Sequence, residues 1–196
     1  MGNPLFTRPD HGGSALNAFE SEANLVTHFE SLRVPGLLQI PEYTRAIMSG
    51  CGISPAEKEK RVAIRIERQK LLNQPKPHLV AILDETVLQR PVGGPSVMAN
   101  QLRSLIEATQ RPTTDVRVIP LAHGAHPGID GSFVTMEFAR AAPIVYLEHK
   151  TASHFLDAPE LVAPYLDANK VLMELALSPT ESLDLIARTA EEHART

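Results

Sequence analysis

Two histidines and an aspartate occur close together in segment 123–131, which reads HGAHPGIDG and contains three glycines. Glycines let the backbone approach a ligand closely, and loops between strands often carry binding groups. We therefore expect this loop to form the rim of a pocket, with His126 as an acid–base group. The ligand contacts would come from His123, Asp130 and Phe133. The alternative is that His126 only hydrogen-bonds the loop to itself.

A carboxylate, Glu85, follows the apolar run 78–83, which is typical of a buried strand. A carboxyl group in apolar surroundings keeps its proton to higher pH and can then act as a general acid or base. We expect Glu85 to be the catalytic partner of His126, and Arg90 to contact the ligand. The alternative for Glu85 is an ion pair with Arg90 or with an arginine of the preceding helix.

These two segments both leave predicted strands, and strand ends are where a rigid scaffold presents functional groups. We expect a pocket between residues 84–94 and 123–131, with Glu85 and His126 directed into it. His123 and His126 have the spacing of metal ligands, but no cysteine supports them and no helical His–Glu motif is present. We expect neither a metal nor a cofactor.

Charged residues in two predicted helices have different expected roles. Glu20 lies on the apolar side of the first helix, where a carboxylate is rarely buried without a partner, so it is a candidate ligand contact. The alternative is that a cap or an arginine satisfies it. The basic segment 58–70 carries interleaved glutamates, which predict intrahelical ion pairs and a solvated face. With a net charge of -4 at pH 7, we expect no direct nucleic-acid partner.

The elements that must position these groups follow from the periodicity of the apolar residues. Helical spacing predicts helices over about 16–32, 41–49, 54–74, 97–106, 159–177 and 179–192. Apolar or alternating runs predict strands over 78–83, 116–121, 133–138 and 144–147, the last two as a hairpin. We predict an α+β fold: a helix-rich single domain, residues 15–196, packed around a small, mainly antiparallel sheet, after a flexible leader at 1–14.

The cysteine count and the hydropathy pattern bear on location. Cys51 is the only cysteine and cannot form an internal disulfide, and the N-terminal residues lack the apolar run of a signal peptide. No segment reaches the roughly 18 apolar residues of a membrane span. We expect a cytoplasmic protein that has no membrane partner.

Several motifs in order carry a family resemblance. They include VPGLLQ followed by EYTRA, then RVAIRIERQKLL, RPVGGP ahead of a helix containing QL, VIPLAHGAHPGIDGSFVTMEF, VYLEH and ALSPTESLDLI. Over residues 16–188 the chain resembles the domain of unknown function that follows an Xre-type helix-turn-helix in actinobacterial toxin–antitoxin-like regulators. Ile40 stands where that pattern has a threonine, and no helix-turn-helix precedes the first glutamate-rich helix.

The resemblance implies a sensor or effector domain that binds a small molecule or a small partner protein, without DNA binding of its own. A homodimer is compatible with such a role. The alternative is a stand-alone enzyme of specialised, natural-product metabolism on the same scaffold. Carboxylates and histidines suit an acid/base-assisted condensation or cyclisation, such as a Pictet–Spengler-type reaction, without a cofactor.

Overall fold

The structure, a computed structural model, describes residues 14–149 and 152–196 of the 196-residue chain; the predicted leader at 1–14 lies outside these residues except for Ser14. The helices are α1 (Ser14–Glu22), α2 (Pro41–Gly50), α3 (Pro55–Gln69), α4 (Thr86–Gln89), α5 (Pro95–Ala108), α6 (Pro159–Leu175) and α7 (Pro179–Ala194). The strands are β1 (Leu25–Glu30), β2 (His78–Asp84), β3 (Thr114–Ile119), β4 (Phe133–Glu137), β5 (Ile144–Glu148) and β6 (Ser153–Leu156). No helix of this described part is long and apolar enough to cross a membrane.

The strands form one six-stranded sheet in the order β3-β2-β1-β4-β5-β6. β1 pairs in parallel with β2, which pairs in parallel with β3. The pairings of β1 with β4, β4 with β5 and β5 with β6 are antiparallel. The predicted α+β class is thus confirmed, around a mixed sheet, and the predicted hairpin of β4 and β5 is confirmed with it.

Helices cover both faces of the sheet, so both faces carry apolar side chains. On one face, Val26 of β1 and Met136 of β4 belong to a core that α1, α5 and α7 complete. On the other face, Phe29 of β1 and Phe133 of β4 pack with residues of α6, including Leu172. Because side chains alternate along a strand, His28 and Glu30 lie on the same face as Val26.

The helix predicted over 16–32 is wrong. α1 ends at Glu22, and Leu25–Glu30 form β1, which is hydrogen-bonded to β2 on one side and to β4 on the other. A strand buried on both faces shows no polar–apolar alternation, and over so few residues its apolar positions also fit helical spacing. The valine, threonine and phenylalanine of LVTHFE were the better signal, because such side chains favour a pleated surface. The strand β6 was also missed.

The helix α3 is turned with its basic side towards the body of the protein. Within α3, all of which the structure describes, Val62 is the one buried side chain. Arg65 and Arg68 are partly buried, whereas Ile64 and Ile66 are 39% and 42% exposed. The solvated face predicted for this basic segment therefore holds only in part. Ser54 caps the helix by accepting a hydrogen bond from the Glu57 amide.

Candidate functional site

Charged side chains gather between α3 and the sheet face that carries His28. We call these residues the buried polar cluster: Glu20, His28, Glu30, Arg33, Arg65, Arg68 and Glu148. The alternation of β1 places His28 and Glu30 side by side, and helical periodicity places Arg65 and Arg68 on one side of α3. The cluster thus has a floor on the sheet and a cover on α3.

Glu20 is the deepest carboxylate of the cluster, and it is fully buried. Arg68 donates to it through two hydrogen bonds, Nε to Oε2 at 2.8 Å and Nη2 to Oε1 at 2.5 Å. The His28 Nε2 atom lies 3.5 Å from Glu20 Oε1, near enough for attraction. Burial alone would raise the pKa of Glu20, but His28 and the Arg68 guanidinium outweigh it and hold that pKa below its usual value.

For Glu30, burial outweighs the attraction of the neighbouring positive charges, so its pKa shifts in the opposite direction. Its side chain is 8% exposed, and its nearest cation is Arg33, whose Nε lies 4.0 Å from Glu30 Oε2. Among the residues that the structure describes, Oε2 has no hydrogen-bond partner. Burial therefore prevails over the attraction of Arg33 and His28 and over hydrogen bonding from the Ser132 hydroxyl, and it raises the pKa of Glu30.

The ring of His28 is 4% exposed, and it stands between these two carboxylates in the cluster. Neither Nδ1 nor Nε2 has a hydrogen-bond partner within residues 14–149 and 152–196. Buried polar atoms of this kind are rare in folded proteins, because each one has lost its bonds to water.

Arg65 is held by an amide rather than by a carboxylate. Its Nη1 donates to Gln39 Oε1 at 2.6 Å, and Gln39 is itself fixed because its Nε2 donates to the Val34 carbonyl at 2.7 Å. Burial, together with the positive charges of Arg68 and Arg33, lowers the pKa of Arg65 to about 10. In the described part of the chain no carboxylate forms a salt bridge with Arg65.

The cluster reaches solvent at one end. There Arg33 donates a hydrogen bond to Glu148, and both side chains are about half exposed. From this rim the charged groups continue inward to Glu30, His28 and finally the fully buried Glu20. The arrangement offers both signs of charge, an imidazole and unpaired acceptors to a small polar molecule.

Of the seven cluster residues, the sequence predicted a binding role only for Glu20. No binding role was predicted for His28 or Glu30 because their segment was assigned to a helix, whereas the alternation of a strand is what places these two side chains on one face. The β-branched and aromatic residues of LVTHFE were the available signal. Arg65 and Arg68 were assigned to a solvated face, since nothing local distinguishes an inward from an outward arginine.

The structure brings the two segments of the predicted pocket together, but the acid that contacts His126 is Asp84 and not Glu85. His126 lies 3.1 Å from Asp84, between Nε2 and Oδ2, while Glu85 Oε2 accepts a hydrogen bond from the Leu121 amide at 2.8 Å. The Gly128 amide donates to His126 Nδ1 at 3.2 Å, so Nε2 carries the ring proton and donates it to Asp84. Both ring nitrogens are engaged in structural bonds. The acid–base roles of Glu85 and His126 stay predictions.

The remaining predicted ligand contacts differ in burial. Phe133 is buried and stacks edge-on against Tyr165, with ring centroids 5.0 Å apart. Arg90, His123 and Asp130 are exposed. That these residues contact a ligand stays a prediction. Because His126 packs on Phe29, it lies on the sheet face opposite to His28 and Glu20.

Within the described residues, no group of three or more histidine, cysteine, aspartate or glutamate side chains is placed to hold a metal ion. A comparison with protein-family models matches residues 14–188 to the family described as Domain of unknown function (DUF5753). A search of curated proteins finds no match.

Proposed function

The chain belongs to the DUF5753 family, and we propose that it is a ligand-sensing domain whose binding site is the buried polar cluster. The observation that carries the proposal is the pair of poorly satisfied side chains at its centre, His28 and Glu30, each more than nine-tenths buried. Among the described residues, His28 Nδ1 and Glu30 Oε2 accept or donate no hydrogen bond, and the remaining contacts of the pair are long: 3.5 Å from His28 Nε2 to Glu20 and 4.0 Å from Glu30 Oε2 to Arg33.

The energetic cost of this arrangement argues for a ligand. A buried polar group without a partner costs about 1–3 kcal/mol, and apolar residues of similar size would remove that cost. Groups with such costs and with shifted pKa values concentrate at binding and catalytic sites, where a ligand supplies the absent partners. Glu20 and Arg68, by contrast, satisfy each other and serve as a rigid boundary for the site.

A ligand needs a route into the cluster, and α3 is the element that can provide one. Its attachments are largely polar: Arg65 to Gln39, Arg68 to Glu20, and Gln69 Nε2 to the Gln39 carbonyl at 2.6 Å. When such contacts open, water replaces the partner at a net cost of about 0.5–1.5 kcal/mol for a neutral hydrogen bond and about 1.5–3 kcal/mol for one to a charged group, whereas apolar burial is lost outright. In this proposal the part of α3 around Arg65 moves aside and closes again over a ligand, while the Arg68–Glu20 pair stays in place.

This mobile cover also suggests how binding becomes a signal. The position of α3 would depend on whether the cluster is filled, and a partner that contacts its exposed side would respond to that position. The resemblance to the domain that follows an Xre-type helix-turn-helix supports an effector role of this kind in the cytoplasm. The partner would then be a DNA-binding domain or a small protein.

Screening a library of small metabolites by thermal shift, followed by calorimetric titration of the hits, tests the proposal. A ligand at one hundred times its Kd stabilises the folded chain by about 2.7 kcal/mol. We expect Glu30→Gln and Arg65→Gln to weaken binding. Arg61→Gln, one turn earlier on α3 and paired with Glu57, is the matched control and should bind normally. Equal binding by all three variants would place the site elsewhere.

One observation favours the enzymatic alternative as a second candidate. Burial raises the pKa of Glu30, which brings this carboxyl closer to the range of a general acid–base group for a condensation or cyclisation. If the chain turns over a ligand found in the screen, Glu30→Gln should lower the turnover by about 10²- to 10⁴-fold. If the ligand binds but mass spectrometry detects no product, only the sensing role remains.

A further inference from the structure

Two opposite charges of the cluster remain after its closed ion pairs are set aside. Arg68 is paired with Glu20, and Arg33 is hydrogen-bonded to Glu148. This leaves Arg65 on α3, which forms no salt bridge within the described residues, and Glu30 on the sheet, whose one ion pair is the 4.0 Å contact with Arg33. The cover of the site thus carries an uncompensated cation, and its floor carries an anion that is only weakly compensated.

The guanidinium of Arg65 has donors that the described residues leave unused. A guanidinium carries five N–H donors in one plane, and it binds carboxylates through two parallel hydrogen bonds. Its one hydrogen bond among the described residues is from Nη1 to Gln39 Oε1. Because Gln39 is neutral, this contact orients Arg65 without compensating its charge, and the neighbouring Arg68 and Arg33 increase the local positive potential.

Glu30 requires a hydrogen-bond donor. Its Oε2 atom is buried and unpartnered within the described ranges, and the Arg33 Nε at 4.0 Å is too distant to donate to it. An ammonium group has three donors and a positive charge, so it can donate to Glu30 and compensate its charge. An anion could do neither.

From this pairing, and resting on the proposed function, we infer that the ligand is a small zwitterion of the amino-acid class, with its carboxylate facing Arg65 and its ammonium group facing Glu30. A zwitterion compensates both charges and brings no net charge into the cluster. A simple anion would leave Glu30 Oε2 without a hydrogen-bond donor, and a simple amine would leave the Arg65 charge uncompensated. Because the ligand joins the sheet to α3, its binding also closes the cover.

The test is calorimetric titration of the folded chain with the proteinogenic L-amino acids. For the tightest binder, two truncated analogues follow: the amine that lacks the carboxylate and the acid that lacks the amine. We expect each analogue to bind more weakly than the amino acid by about tenfold or more, because one charge-assisted contact is lost.

Two variants show which residue binds the carboxylate of the ligand and which binds its ammonium group. Arg65→Gln should weaken the binding of the amino acid and of the acid but leave the affinity for the amine unchanged. Glu30→Gln should weaken the binding of the amino acid and of the amine but leave the affinity for the acid unchanged. Arg61→Gln should change none of them. Circular dichroism melting shows which variants are folded. If Arg65→Gln does not fold, Arg65→Lys replaces it. Lysine keeps the charge but lacks the paired donors of the guanidinium, so it should still weaken the binding of the amino acid and of the acid.

The results separate this inference from the proposed function. If no amino acid binds at millimolar concentration, or if an analogue binds as tightly as its parent, the inference is wrong. A neutral or singly charged metabolite that binds, and whose affinity falls in Glu30→Gln, would overturn the inference while supporting the sensing role. Amino-acid binding that all cluster variants retain would overturn both.

Discussion

Arg68 donates two hydrogen bonds to the fully buried carboxylate of Glu20, at 2.8 and 2.5 Å, and so connects α3 to α1. The planar guanidinium and the carboxylate match each other, which fixes the relative position of the two side chains. Since α3 buries only Val62 fully, this pair is a principal anchor of the helix over the described part of the chain.

Replacing Glu20 with glutamine should destabilise the protein by about 3–5 kcal/mol, because it leaves the buried Arg68 charge without its partner. The pKa of Glu20 is lowered in the fold, so its stabilising contribution is present above the ordinary value of about 4.5 and is lost as the pH falls through the lower folded value. Urea unfolding between neutral and acid pH measures both effects. Glu22→Gln, exposed on the same helix, is the control. Equal unfolding midpoints for the two variants would contradict the prediction.

The variant Glu30→Gln should have the opposite effect. The pKa of Glu30 is raised, so the folded state binds a proton more tightly than the unfolded state, and wild-type stability falls as the pH rises from about 4.5 through the folded value. Glutamine carries no charge to desolvate. At neutral pH the variant should have the higher free energy of unfolding, and below about pH 4.5 the difference should vanish. A variant less stable than wild type at neutral pH would show that the ionised carboxylate is satisfied in the fold.

Substituting Gly128 with alanine should destabilise the protein by about 1–3 kcal/mol or more through overpacking. A β-carbon at this position would lie 2.2 Å from Cζ of the buried Phe29 ring, which has no room to withdraw. Thermal denaturation measures the effect. At Gly50, a β-carbon meets nothing within 4 Å, so Gly50→Ala is the matched control and should retain wild-type stability. Wild-type stability in Gly128→Ala would mean that the 127–130 segment does not pack on Phe29.

The chain by itself should not bind DNA with sequence selectivity. Two arginines of the basic segment, Arg65 and Arg68, are engaged inside the cluster, and Arg61 is paired with Glu57. Few positive charges of α3 therefore remain to contact a phosphate backbone. Fluorescence anisotropy with labelled duplexes at physiological salt measures this. Selective binding that persists at higher salt would overturn the prediction.

Much of the fold was predictable because the signals are local. The run 78–83 marks β2 by its apolar character, and proline marks the first residue of α2, α3 and α7 because its fixed backbone angle suits that position. The turn between the runs 133–138 and 144–147 predicts the hairpin of β4 and β5. Each of these signals depends on neighbouring residues alone.

The amino-acid sequence by itself thus determined most helices and strands of this protein, its α+β class and the unusual position of Glu20. The tertiary structure alone decided that LVTHFE is a central strand, because pairing with β2 and β4 on either side prevails over its helical spacing. It also decided that Arg68 pairs with Glu20, 48 residues away. Whether a charge is buried, and beside which partner, depends on segments that meet only when the chain folds.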